Sequence, residues 1–167
     1  VGGFCIDRYE VSMVDRESGR ALSPYYPPQP KLFARIRQVW QVERAGLGDP
    51  AAAAMPLPDP PRFQLALEFE PKAVSRAGVV PQGYLSYPLA KRACENAGKR
   101  LCSEEEWVGA CRGRSRTKFP YGAHYLAGKC NVHRAIHPAA VLHGLASIGL
   151  TDPRLNLVLE NGSDPVL

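Results

Sequence analysis

Apolar residues recur three or four positions apart in three stretches of the chain. This spacing places them on one face of a helix. In residues 32–45 the shared face carries four side chains, Leu32, Ile36, Val39 and Trp40. Residues 86–98 and 103–112 show the same period. The pattern therefore predicts helices at 32–45, 86–98 and 103–112.

Capping residues mark the ends of the two later helices. Ser86 is a suitable N-cap, and Gly98 stands where a helix commonly ends in a left-handed residue. Ser103 and Glu106 have the spacing of a capping box. Trp107 begins the apolar face of this last helix, and we predict that its side chain is buried.

Strict alternation of apolar and polar residues predicts strands elsewhere. Residues 62–70 alternate most regularly, with four apolar side chains on one side: Phe63, Leu65, Leu67 and Phe69. Residues 3–13 are predicted to form an opening strand. Its charged residues Asp7, Arg8 and Glu10 are expected to face solvent or to pair with other side chains rather than to form a catalytic cluster.

Two stretches are too rich in proline for a helix or a central strand. Residues 24–30 hold four prolines and are expected to be extended. Residues 46–61 combine alanines, prolines and two early glycines, and we interpret them as an insertion in a loop.

The length of 167 residues favours one domain, and 45% hydrophobic residues are sufficient for a core. The sequence has no run of 18 apolar residues, so it does not predict a membrane span. The chain starts at Val1 inside a strand-like segment, from which we expect a fragment or a processed product.

The net charge is +5, and four cations cluster behind the third predicted helix: Arg112, Arg114, Arg116 and Lys118. Cations are favoured at a helix C-terminus. We therefore interpret this run as a solvated helix exit and expect no nucleic-acid partner.

The five cysteines are Cys5, Cys94, Cys102, Cys111 and Cys130. No pair has C-x-x-C spacing, which argues against the usual zinc sites. They are either free thiols of a cytosolic protein or disulfide partners in an exported one. We favour export to the periplasm or the extracellular space, with a disulfide joining two of the last four cysteines.

The four histidines are His124, His133, His137 and His143. His133 and His137 have the spacing of two ligands on a helix, but Pro138 follows directly and no third ligand is evident. We expect histidines in exposed loops rather than a metal site.

One block carries a family resemblance, and its matching positions are Cys94, Gly98-Lys99-Arg100-Leu101, Glu104, Glu106-Trp107, Ala110 and Arg112-Gly113. Three further blocks follow the same family order, residues 4–12, 119–122 and 130–132. Together they resemble about the first half of a formylglycine-generating-enzyme domain, also called a sulfatase-modifying-factor domain.

The resemblance implies an irregular, C-type-lectin-like α+β fold. Residues 1–167 would then form a single sulfatase-modifying-factor-like domain, apparently incomplete at its C-terminus, with the insertion at about 46–61. The missing C-terminal half of that domain would be its partner.

In function, the family implies an oxygen-dependent metal oxidase that acts on a thiol, such as one of a protein or peptide, or on a related substrate. Formylglycine-generating enzymes use copper held by two cysteines, and some relatives use iron. The copper cysteines lie late in the family's domain, so none of the cysteines here occupies those positions and the catalytic residues are unknown. The alternative function is a non-catalytic, lectin-like binding module.

The family also implies a structural calcium site. By position its ligands are the Asn131 side chain and the Val132 carbonyl, and oxygen ligands suit Ca²⁺. The acidic ligand that the family has further along is absent here, because its position corresponds to Leu145 and Ala146. Asn131 as an ordinary turn residue remains the alternative.

Overall fold

The computed structural model describes residues 3–126, 129, 138–144 and 149–156. This part of the chain is mixed α+β, as predicted, and irregular segments join its short elements. The elements are β1 (Val11–Asp15), α1 (Pro30–Gln38), a π-helical turn (Val39–Glu43), α2 (Pro50–Ala53), a 3-10 helix (Arg62–Ala66), β2 (Pro71–Ser75), α3 (Tyr87–Asn96), α4 (Glu104–Arg112), α5 (Pro138–His143) and a second 3-10 helix (Pro153–Asn156).

The sheet of the described residues consists of β1 and β2, which pair antiparallel. Met13 lies opposite Ala73, and both are buried. Helix α3 packs against β2, where the small Ala93 is fully buried and lets the two backbones approach. The sheet and α3 therefore form one wall of the core.

The opening strand was predicted too early in the chain. The strand begins at Val11, and residues 3–10 are irregular. The regular pairing stops where β2 stops, because Val11 is opposite Ser75, the last residue of that strand. Before this point the Tyr9 amide donates to the Ser75 hydroxyl instead, at 3.0 Å.

The predicted strand at 62–70 is wrong. Arg62–Ala66 forms a 3-10 helix, and Leu67 then turns the chain with a φ of +60°. The residue that is fully buried here is Gln64, whose side-chain oxygen accepts from the Ser23 amide at 2.9 Å. A tertiary hydrogen bond thus outweighs the alternation, and Leu65 lies at the surface.

The helix predicted at 32–45 is confirmed over most of its length as α1 and the π-helical turn. Its inward face carries Phe33, Ile36 and Trp40, whereas Leu32 is 40% exposed. The face is therefore rotated towards Phe33 relative to the one that we predicted. The helix begins at Pro30, which is tolerated in a first turn.

Nine buried side chains form one hydrophobic cluster: Met13, Leu22, Tyr26, Phe33, Ile36, Trp40, Phe69, Ala73 and Ala93. Phe33 contacts two aromatic rings edge to face, with centroid distances of 5.3 Å to Tyr26 and 6.0 Å to Phe69. Such pairs add stabilisation beyond the area that they bury. Phe33 therefore connects α1 to the irregular segments around it.

The segment predicted as an insertion is attached to this core. The Tyr26 hydroxyl donates to the Pro58 carbonyl at 2.9 Å, and the Asp49 amide donates to the Leu142 carbonyl at 2.8 Å. Part of the segment is helical, as α2. Both hydrogen bonds fix it against buried parts of the described structure.

Helix α3 occupies most of the range predicted for it. Ser86 stands at the N-cap position, although its side chain makes no capping hydrogen bond. Gly98 follows the helix with a φ of +67°, a conformation that glycine adopts without strain. The Ala97 and Lys99 amides both donate to the Cys94 carbonyl at 2.9 Å, which closes the helix end.

None of the helices in the described part of the chain is both long enough and apolar enough to cross a membrane.

Adjacent residues of α1 provide a test of this core. Phe33→Ala should lower the free energy of unfolding by about 3–5 kcal/mol, because it leaves a cavity among aromatic rings. Leu32→Ala is the control and should change it by less than about 0.5 kcal/mol. Chemical denaturation measures both, and equal losses would contradict the orientation of α1.

Candidate functional site

The block with the family resemblance forms α3, the turn at Gly98 and α4. The predicted capping box is confirmed at the start of α4. The Glu106 amide donates to the Ser103 hydroxyl at 3.3 Å, and the Ser103 amide donates to the Glu106 carboxylate at 2.9 Å. These reciprocal bonds satisfy two backbone donors that a helix start otherwise leaves free.

Arg100 reinforces this cap from the preceding turn. Its guanidinium donates to both oxygens of Glu106, at 2.6 and 2.7 Å. The hydrogen bond from Arg100 and, to a smaller extent, the one from the Ser103 amide lower the pKa of Glu106 to about 2. Glu106 thus stays ionised, and the contribution of this pair to stability is present above the usual glutamate pKa and is lost as the pH falls towards 2.

A surface ion pair joins the opening segment to the turn after α3. The Lys99 ammonium lies 2.8 and 2.9 Å from the two oxygens of Asp7. Exposed pairs of this kind contribute little to stability. It does, however, join residues 4–12 to the Gly98–Leu101 turn, which is part of the block that includes α3 and α4.

The prediction that Trp107 is buried is wrong. Its side chain is 60% exposed, and no residue of α4 is buried. Val108 and Cys111 lie on the same exposed side of the helix. The capping signals are local and form α4 correctly, whereas burial requires a surface to pack against, and the described residues provide none over this face.

The described cysteines are free thiols in this structure. Cys5, Cys102 and Cys111 are exposed, and Cys94 is partly buried against the core. Burial, together with the nearby Asp7 carboxylate, raises the pKa of the Cys94 thiol and so favours its protonated form. Cys130 lies outside the described residues, and the disulfide stays a prediction.

The predicted calcium ligands Asn131 and Val132 lie outside the described residues, as do His133 and His137. Within the described ranges, no three His, Cys, Asp or Glu side chains come together in a way that could hold a metal ion.

A buried charged cluster around Asp152 was not found from the sequence. The His143 Nε2 atom lies 2.7 Å from one Asp152 oxygen, and the Arg154 guanidinium donates to the same oxygen at 2.8 Å. All three side chains are at least 96% buried. The expectation of an exposed loop histidine is therefore wrong for His143, because it serves as a buried partner of a carboxylate.

The surroundings of this cluster are tightly packed. The His143 ring lies 5.1 Å from the Trp40 ring, and a Cβ added to Gly149 would stand 2.0 Å from a carbon of that imidazole. The Tyr84 hydroxyl donates to the Asp152 carbonyl, and burial raises the pKa of Tyr84.

This packing gives the Asp152 cluster a structural role. It holds the second 3-10 helix and α5 against Trp40 of the π-helical turn that follows α1. The only signal for it in the sequence is the pair of opposite charges at Asp152 and Arg154, which flank a proline and also suit an ordinary turn.

The two tryptophans of the chain test the exposed face of α4. Trp107→Ala should change the free energy of unfolding by less than about 0.5 kcal/mol, and Trp40→Ala should lower it by about 3–5 kcal/mol. In single-tryptophan variants, iodide should quench Trp107 and leave Trp40 protected. A protected Trp107, or one whose removal costs as much as that of Trp40, would show that this face is covered.

No family model matches this chain, and neither the curated proteins nor the solved structures contain a match to it.

Proposed function

We propose that this chain forms part of a formylglycine-generating-enzyme-like domain, an oxygen-dependent metal oxidase that acts on a thiol of a protein or peptide. The observation that carries the proposal is the contact between Asp7 and Lys99. Two blocks that resemble the same family, separated by about ninety positions, lie side by side. This contact is what we expect if both blocks belong to one domain.

The local geometry of the second block supports the same proposal. Gly98 takes the left-handed conformation that ends α3, and Ser103 and Glu106 form the cap that begins α4. Phe119 and Gly122, the ends of a third block, exchange two backbone hydrogen bonds across a tight turn. Gly98, Glu106, Phe119 and Gly122, which were quoted for the resemblance, therefore each have a local structural role.

Copper chemistry needs two thiolates that converge on one ion, because the soft cuprous ion prefers soft ligands. By the resemblance, the two copper cysteines lie late in the family's domain, at positions that none of the cysteines here occupies. The proposal therefore places the catalytic cysteines outside residues 1–167 and assigns no catalytic step to this chain. The missing C-terminal half of the domain is its proposed partner.

Calcium remains a proposal for Asn131 and Val132, whose side-chain and backbone oxygens are of the right chemical type. A periplasmic or extracellular location accompanies this proposal. Calcium is abundant there, and clustered cysteines can be oxidised.

A non-catalytic binding module is the second candidate, and a separate observation favours it. Large apolar side chains exposed together on one helix face are typical of an interaction surface. Trp107, 60% exposed on α4, is such a side chain.

Complementation in solution tests the enzymatic proposal. The chain of 167 residues is titrated with cuprous ion without oxygen and then given oxygen and a cysteine-containing peptide. Alone it should bind no stoichiometric copper and form no aldehyde detectable by mass spectrometry. Addition of the C-terminal half of the domain should produce both.

The control replaces the late cysteine pair of that half by serine, which should abolish copper binding and turnover. Failure of the complemented protein to form the aldehyde would contradict the oxidase proposal and favour the binding module. Turnover by the chain alone would show that its own cysteines carry the chemistry, drawn from Cys94, Cys102, Cys111 and Cys130.

A further inference from the structure

The net positive charge of the protein comes from one part of the chain. Between Trp107 and Thr151 there are six Lys or Arg residues and no Asp or Glu, whereas the rest of the chain has 15 cationic and 16 acidic residues. Four of these cations lie within seven positions, and we call Arg112, Arg114, Arg116 and Lys118 the basic loop. Within the described ranges they take part in no ion pair, and all four are exposed.

The basic loop is ordered by its own hydrogen bonds. The Thr117 amide donates back to the Arg112 carbonyl at 3.2 Å, and the Thr117 hydroxyl donates forward to the Phe119 carbonyl at 2.7 Å. These bonds hold the backbone of the loop in a defined shape. Its cationic side chains therefore project from fixed points and act together on an approaching ligand.

One residue of the loop has an unfavourable backbone conformation. Arg116 has a φ of +49°, in the left-handed region that costs an ordinary residue about 1–2 kcal/mol. Glycine would avoid this strain, and glycines stand in similar conformations elsewhere in the chain. An arginine at a strained position is consistent with a use for its charge.

We propose that the basic loop binds a carboxylate-rich segment of a partner polypeptide. Three of its four cations are arginines, and the planar guanidinium donates to both oxygens of a carboxylate at once. This protein already shows such a pair, since Arg100 binds both oxygens of Glu106. The basic loop offers several such groups with no carboxylate opposite them in the described structure.

The ring next to the loop, Phe119, favours a polypeptide over single-stranded nucleic acid. Binding of bases requires open aromatic faces on which they can stack. The rings of Phe119 and Tyr121 are stacked on each other at a centroid distance of 5.4 Å. The Lys118 ammonium nitrogen lies over the Phe119 ring, 5.8 Å from its centroid. The faces of Phe119 are thus already in use, whereas the charges remain available.

Fluorescence anisotropy of a labelled oligoglutamate peptide with the whole chain tests this surface, which does not depend on the oxidase proposal. One variant replaces the four cations of the basic loop by glutamine. The control variant replaces three arginines and one lysine that are exposed elsewhere and form no ion pair with any described residue: Arg8, Lys31, Arg62 and Arg76.

The loop variant should weaken binding at least about tenfold, and the control less than about threefold, because clustered charges act on one ligand while scattered ones do not. Added salt should weaken binding by the wild-type chain. Equal losses in the two variants would overturn the proposal. The proposal would also be overturned if the chain bound a single-stranded oligonucleotide of equal charge more tightly than the peptide and the loop variant lost that binding. The surface would then be one for nucleic acid.

Arg116→Gly separates charge from folding. Glycine adopts a φ of +49° without strain, so the melting temperature should stay the same or rise. Affinity for the peptide should nevertheless fall about twofold to fivefold, the size expected for one exposed ion pair. Unchanged affinity in both Arg116→Gly and the loop variant would show a solvated helix exit with no ligand.

Discussion

Much of this fold depends on side chains that satisfy buried backbone groups where no regular strand or helix does so. A buried carbonyl without a donor costs about 1–3 kcal/mol, and a proline-rich chain has few backbone donors to offer. The Gln82 amide nitrogen lies 2.8 Å from the Tyr26 carbonyl and 3.1 Å from the Gly83 carbonyl, which uses both of its hydrogens. The Gln82 backbone amide donates in turn to Val11, and so attaches the proline-rich segment to β1.

The same kind of bond appears at two other junctions. Gln64 accepts from the Ser23 amide, which explains why a glutamine rather than a leucine is the buried residue of its segment. Asp15 accepts from the Glu70 amide at 3.0 Å and from the Ser18 amide at 2.9 Å. Burial opposes the charge of Asp15, but its hydrogen bonds outweigh that effect and lower its pKa. These polar contacts hold the loops at the positions where the aromatic core can close.

The features that the sequence predicted correctly depend on short-range physics. The capping box at Ser103 and Glu106 and the left-handed Gly98 are determined by a few neighbouring residues, so their patterns were sufficient. The burial of Gln64 and the exposure of Trp107 depend on what the rest of the chain places nearby, which no local pattern contains. The same difference between local and long-range features holds in the candidate site. The two helices of the block with the family resemblance were predicted, whereas the contact of that block with Asp7 was not.

Replacement of Gln82 by methionine tests this account most directly, because methionine keeps the length of the side chain and removes the amide. The account predicts that Gln82→Met lowers the free energy of unfolding by about 1–3 kcal/mol, since the buried Tyr26 carbonyl and the partly buried Gly83 carbonyl lose their donor. Gln38→Met, on the exposed side of α1, is the control and should have an effect below about 0.5 kcal/mol. An equally small effect at Gln82 would show that the irregular segments are held by apolar packing alone and would contradict the account.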